Sequence, residues 1–401
     1  MANELLNRFN APGPKRILAL DGGGIRGALT LGYLEEIEAV LKKQNGNKES
    51  FRLSDYFDLI GGTSTGSIIA GCLALGWKVT DIRDKYFELG GKIFGQKNKW
   101  YDIFKPGAFT KASYDSKPLE ENLKIVFGDI TLGDNKAIKT GLCIVAKRAD
   151  TNSVWPLINH PGGKYFNSKE GTNGKILLRD AIRASAAAPS YFLPQMIDVG
   201  GGMSTAAFVD GGVSMANNPA LQLLMVATLK GFPFHWPMGE NNILLVSIGT
   251  GMSKWSKIPE EVKKNHLLNW ASELPDMFMQ DGSWHNQLML QWMSKCATPW
   301  EIDGESGTLA EDYMSTPESP KHLLTYNRYN TWLEKATLEA LTGKTFTDKE
   351  VKQLVKMDEA GTRFDLYKIG LAAAQSGAIA GDKYLAMPVL ENHFPKSFSI
   401  V

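Results

Sequence analysis

Ile17-Leu18-Ala19-Leu20-Asp21-Gly22-Gly23-Gly24-Ile25-Arg26-Gly27 opens with four apolar residues and then breaks into glycine. A short apolar run bounded by a turn signal fits a buried strand. Leu31, Leu34, Ile37 and Leu41 follow at three- and four-residue intervals, the stripe of an amphipathic helix. Asn45-Gly46-Asn47 stops it. The rhythm then repeats: residues 56–60 lead through Gly61-Gly62, and residues 67–77 resume a helical apolar pattern. Strand, glycine turn, helix, twice over, predicts an α/β fold with a largely parallel sheet. Apolar runs at 142–146, 207–209 and 243–248 predict further strands, the last ending in Gly249-Thr250-Gly251. Ligands of open α/β sheets bind at the carboxyl ends of strands, where these glycine turns fall.

The chain has 401 residues, 43% hydrophobic and 22% charged, enough to bury a sizeable core. Its 44 basic and 43 acidic residues leave a net charge of +1, which gives no electrostatic case for nucleic acid as the main partner. Lys42-Lys43 and Lys263-Lys264 read as solvated helix faces. Cys72, Cys143 and Cys296 are far apart and odd in number, so neither a disulfide framework nor a metal site is expected. The polar residues 1–16 lack a signal-peptide core, and no run approaches the roughly eighteen apolar residues of a membrane span. A cytoplasmic protein is expected. Residues 1–14 read as a loose leader and 15–255 as the α/β domain. Residues 256–401 read as a helix-rich region where strand signals thin out, packed on the same domain or beside it. Six of the ten tryptophans lie between Trp255 and Trp332, with Met277, Met279, Met289 and Met293 among them.

Gly62-Thr63-Ser64-Thr65-Gly66 is a G-x-S-x-G turn between a strand-like run and a helix. A nucleophile elbow needs that context, because it strains the serine backbone and leaves no room for side chains at the flanking glycines. A capped helix start reads the same way. Gly22-Gly23-Gly24 can present backbone amides to an anion, as an oxyanion hole does. The same stretch satisfies G-x-G-x-x-G, the dinucleotide fingerprint, but the next predicted strand ends in the serine turn rather than in an acid. Asp210-Gly211-Gly212 ends another predicted strand. A serine needs a base, and none of the six histidines stands in a comparable motif.

These three motifs in this order resemble the patatin-like phospholipases. Ala184-Ser185-Ala186-Ala187-Ala188-Pro189-Ser190-Tyr191-Phe192 and Ser247-Ile248-Gly249-Thr250-Gly251 are similar to that family as well. The resemblance implies a three-layer α/β/α fold and hydrolysis of acyl esters of membrane lipids. It implies a Ser64–Asp210 dyad without histidine and an oxyanion hole on Gly22, Gly23 and Gly24. Arg26, Gly27, Gly62, Gly66, Gly211 and Gly212 support those turns. No metal or other cofactor is implied. A carboxylate is a weak base in water, so the site must either raise the Asp210 pKa or hold Asp210 very close to Ser64, and a direct hydrogen bond between them is expected. Arg26 either holds an anionic head group, orders its loop or forms a surface salt bridge. Residues 104–109 read as a loop over the site. The tryptophan- and methionine-rich stretch 252–300 lines an acyl pocket, touches a membrane surface transiently, or packs as core. Control by a regulatory partner or small nucleotide is compatible with the unassigned residues 252–401. The rival reading is a non-catalytic nucleotide-binding or storage protein using the glycine loop.

Overall fold

The computed structural model describes residues 2–94, 115–189, 191–201, 205–254, 257–303, 305–309, 322–376 and 390–400. The expected loop at 104–109 lies outside them.

Among the described residues nine strands form one sheet: β1 Lys15–Leu20, β2 Leu59–Thr63, β3 Gly141–Arg148, β4 Ser153–Ile158, β5 Gln195–Asp198, β6 Thr205–Asp210, β7 Ile243–Ile248, β8 Ser294–Cys296 and β9 Leu324–Tyr329. The order is β5-β6-β3-β2-β1-β7-β9-β8, with β4 on β3. Pairing is parallel from β3 through β2, β1, β7 and β9 to β8, and antiparallel at β4, β5 and β6. The fold is thus α/β with a mostly parallel sheet, as the sequence rhythm predicts.

Alternate strand residues feed two cores. Leu18, Leu20, Ile60, Ile144 and Val246 pack under the helices Gly27–Gln44, Thr65–Ala74 and Arg363–Ser376. Ile17, Ala19, Leu59, Val145 and Leu245 pack against the helices Ala2–Asn10 and Ala220–Thr228 and against Leu290. Both faces are covered, which is why the central strands read as continuous apolar runs.

One expectation is corrected and one is sharpened. The first residues are no loose leader: they form the helix Ala2–Asn10, with Leu5 and Phe9 buried. Arg8 anchors it, donating to the carbonyls of Ser54 (2.7 Å) and Phe57 (2.8 Å) and to Asp58 (3.1 Å). Beyond residue 255 the strands do not cease. β8 and β9 extend the same sheet past β7, so pairing runs straight across that position.

Candidate active site

Ser64 sits between the end of β2 and the helix Thr65–Ala74 with φ 53° and ψ −123°, a backbone conformation that side chains disfavour. Its neighbours hold it there. The Ser64 amide donates to Ser185 Oγ (2.9 Å), and that hydroxyl donates to the Val145 carbonyl of β3 (2.6 Å). The Ser64 carbonyl accepts from the amide and the hydroxyl of Ser67, at 2.9 and 2.6 Å. A Cβ at Gly66 would overlap the carbonyl oxygens of Leu20 and Asp21, and one at Gly62 would overlap the Gly66 backbone. Only glycine lets the helix start this close to the end of β1.

Sheet register brings Asp210 to the serine. One edge of β3 is occupied by β4 along 143–148. The other edge is shared. β2 pairs there as far as Thr63↔Val145, and β6 takes over with Asp210↔Ala146. Asp210 therefore stands where β2 stops and Ser64 begins. Its carboxylate faces the Ser64 side chain, a hydrogen-bonding neighbour that lowers its pKa, and at Oδ1 it accepts a hydrogen bond from the Gly212 amide at 2.7 Å. Burial pushes its pKa up from 3.8 to about 6, against the downward pull of those two groups. Gly211 is glycine for lack of space: a Cβ there would stand 2.5 Å from the Val145 oxygen. A Cβ at Gly212 would stand 2.9 Å from Asn217 Oδ1.

The glycine turn faces both residues. The Gly22 amide donates to the Asn217 carbonyl (3.0 Å), and Thr250 Oγ1 donates to the Gly22 carbonyl (3.0 Å). Gly24 adopts φ 57°. Its carbonyl accepts from Tyr86 OH (2.5 Å), which also bonds Thr65 Oγ1 (2.6 Å). A Cβ at Gly27 would crowd that Tyr86–Thr65 contact. Among the described residues the amides of Gly23 and Gly24 have no partner. Of the three expected oxyanion donors, Gly22 is already committed to the backbone, and the free amides are those of Gly23 and Gly24.

Gly23, Gly24, Ser64 and Asp210 line one cavity of about 610 Å³. Its wall is apolar: Ile68, Leu89, Leu119, Leu123 and Phe192. Val213, Met215 and Phe278 line it while staying half exposed or more, at 50%, 56% and 66%. The helix Leu267–Met293 combines two of the expected roles. Phe278, Met279, Gly282 and His285 line the cavity, whereas Leu290 is core.

Arg26 is not among the lining residues. Its guanidinium donates to the Val355 carbonyl (3.2 Å), and burial holds its pKa below the ordinary value, with the charge of Asp276 the main counterweight. The geometry favours loop-ordering over head-group binding or a surface salt bridge.

Four further residues hold the site together. Tyr86 braces the glycine turn, and Asn286 donates to the backbone of 215–218. Asn217 accepts from Gly22. Arg328 forms a buried two-pronged pair with Asp21, at 2.8 and 2.6 Å. Asn217 stands in Asn217-Asn218-Pro219, just before the helix Ala220–Thr228; motif reading missed the other three, which stand in no motif.

Comparison with known proteins agrees with the motifs. The family described as patatin-like phospholipase matches residues 18–224, more than half of the chain. A cGAMP-activated phospholipase of Vibrio cholerae is 31% identical over 271 residues, 64% of this chain and 70% of that protein. Patatin-like protein 2 of Arabidopsis thaliana is 32% identical over 296 residues, covering 67% and 69%. Patatin-like protein 4 of the same plant is 28% identical over 390 residues, covering 88% and 94%. Spanning the domain and carrying its turns in order, the chain belongs to the patatin-like phospholipase family.

Proposed function

We propose that this chain is a serine lipid acyl hydrolase acting on fatty-acyl esters of membrane phospholipids. The observation that carries the reading is the Ser64 side chain set against a buried carboxylate whose pKa is raised to about 6, inside an apolar cavity. Asp210 accepts the Ser64 proton as Oγ attacks the ester carbonyl. The Gly23 and Gly24 amides take the oxyanion, and a cavity wall such as Ile68 and Leu123 takes the acyl chain. Asp210 returns the proton to the departing lysolipid alkoxide. Water, deprotonated by Asp210, then cleaves the acyl-enzyme and regenerates both residues. No step calls for a metal or cofactor.

Free fatty acid released from a mixed phospholipid extract tests this. Wild type should release it. Ser64→Ala and Asp210→Asn should each lose at least about 1000-fold. The rate should rise with pH through about 6, because only the deprotonated Asp210 accepts the proton. Substantial activity in Asp210→Asn would shift the base to His285, which lines the same cavity. Failure of an active-site serine probe to label Ser64, with no fatty acid released, would favour the storage or nucleotide-binding reading.

Two extensions rest on narrower grounds. Leu267, Leu274 and Phe278 are 83%, 39% and 66% exposed. They share one helix face beside the cavity mouth, which we read as a transient membrane contact made from the cytoplasm. The Vibrio cholerae relative is named for activation by cGAMP, and we extend control by a small nucleotide to this chain. The same assay with and without cGAMP tests that extension, and full activity unaffected by the nucleotide rejects it.

A further inference from the structure

The parts of the site are joined by one short stretch of backbone. Four consecutive carbonyls each receive a donor. Asn286 Nδ2 donates to Met215 O at 2.6 Å, and Thr63 Oγ1 to Ala216 O at 2.5 Å. The Gly22 amide donates to Asn217 O at 3.0 Å, and Asn286 Nδ2 again to Asn218 O at 3.0 Å. Thr63 precedes the serine, Gly22 opens the glycine turn, and the stretch begins five residues after Asp210. This strap therefore ties serine, carboxylate and oxyanion loop to one another.

Asn286 reaches the strap from the helix Leu267–Met293, outside the residues that the family match covers. It is buried, and its amide group serves two strap carbonyls. One turn earlier, a Cβ at Gly282 would stand 3.0 Å from Met215 Cα, so the helix backbone rests directly on the strap.

We propose that Asn286 is a positioning residue that fixes the Asp210 segment against Ser64, an inference that rests on the Ser64–Asp210 reading. Without its donors two strap carbonyls lose their partner, and the buried one, that of Asn218, moves toward water when left unpaired. The strap then drifts from Thr63 and Gly22, and water reaches Asp210. A displacement of about 1 Å from a remote change is enough to lower a rate roughly 100-fold. Rehydration also returns a carboxylate toward its ordinary pKa.

The test compares Asn286→Leu and Gly282→Ala with wild type in the full-length protein, on a soluble short-chain ester across pH 4–9, alongside thermal unfolding. Gly282→Ala presses on the strap while favouring the helix, so it remains informative if Asn286→Leu does not fold. We expect kcat to fall roughly 10- to 100-fold in the folded variants with KM changed less than about threefold. The acid limb of kcat/KM should move from about 6 toward 3.8, a change that a merely structural role would not produce. Asn286→Gln, which keeps the donor, should recover part of the rate. Folded variants with wild-type kcat and an unmoved acid limb would overturn the positioning role alone. A wild type lacking that acid limb would instead overturn the Ser–Asp reading beneath it.

Discussion

Asp210 is held where a carboxylate is poorly solvated, with one hydroxyl and one amide in place of a water shell. That raises its proton affinity, as the proposed role of base requires, and makes it an unfavourable fold element at once. Its folded pKa of about 6 lies above the ordinary 3.8. The unfolded chain therefore holds its charge more comfortably than the folded one. Stability present below about pH 4 is lost as pH rises to about 6, and stays lost above it. Two pKa units correspond to about 3 kcal/mol. Asp210→Asn should thus unfold at a higher temperature than wild type at pH 8, by an amount that shrinks to nothing near pH 4. Calorimetry of both proteins at the two pH values checks this. Equal melting temperatures at pH 8 would mean that the carboxylate carries no burial strain. Ser64 and Asp210 were legible because glycine punctuates their turns. Tyr86 and Asn286 act through single hydroxyl and amide groups on ordinary helices, with no pattern around them to mark the role.

Elements whose chemistry contradicts their surroundings were the hardest to read. β9 is buried throughout, yet its sequence is Leu-Thr-Tyr-Asn-Arg-Tyr. Those of its polar groups that find partners do so only in three dimensions: Asn327 donates to the His393 carbonyl (2.8 Å) and Arg328 to Asp21. β4 carries Pro156, which breaks an apolar run and suits the edge of a sheet. The helix Leu267–Met293 changes character along its length. Its C-terminal half inserts Leu290 into the core, while its N-terminal half shows Leu267, Leu274 and Phe278 to solvent. If that face meets lipid, charge placed on it should weaken membrane binding without touching the chemistry. Leu267→Glu with Leu274→Glu, neither of them lining the cavity, should abolish flotation with phospholipid vesicles and leave soluble-ester hydrolysis near wild type. Unchanged flotation would remove this face from the membrane contact.

At the scale of the molecule, the strands that carry the glycine and serine turns share one sheet with β8 and β9. β7 pairs with β1 on one side and with β9 on the other. Arg328 of β9 reaches across to Asp21, the residue immediately before the glycine turn, and also bonds Ser247 of β7 at 2.7 Å. Both members of the Asp21–Arg328 pair are almost fully buried, at 6% and 3% side-chain exposure. Burial penalises each charge, and the partner offsets it. Removing one partner from such a pair strands the other and typically costs about 3–5 kcal/mol. Arg328→Met should therefore lower the urea midpoint strongly, and Asp21→Asn in the same chain should recover most of the loss by removing the stranded charge. A chain cut at 255 removes β8, β9 and the helix Arg363–Ser376, which leaves one edge of β7 unpaired and uncovers Leu29 and Leu34 of the helix Gly27–Gln44. It should be insoluble, or cleaved throughout by a broad protease, where the full chain resists. A folded, protease-resistant and esterase-active fragment 1–255 would show instead that the sheet's far edge is an attachment, with the catalytic turns standing without it.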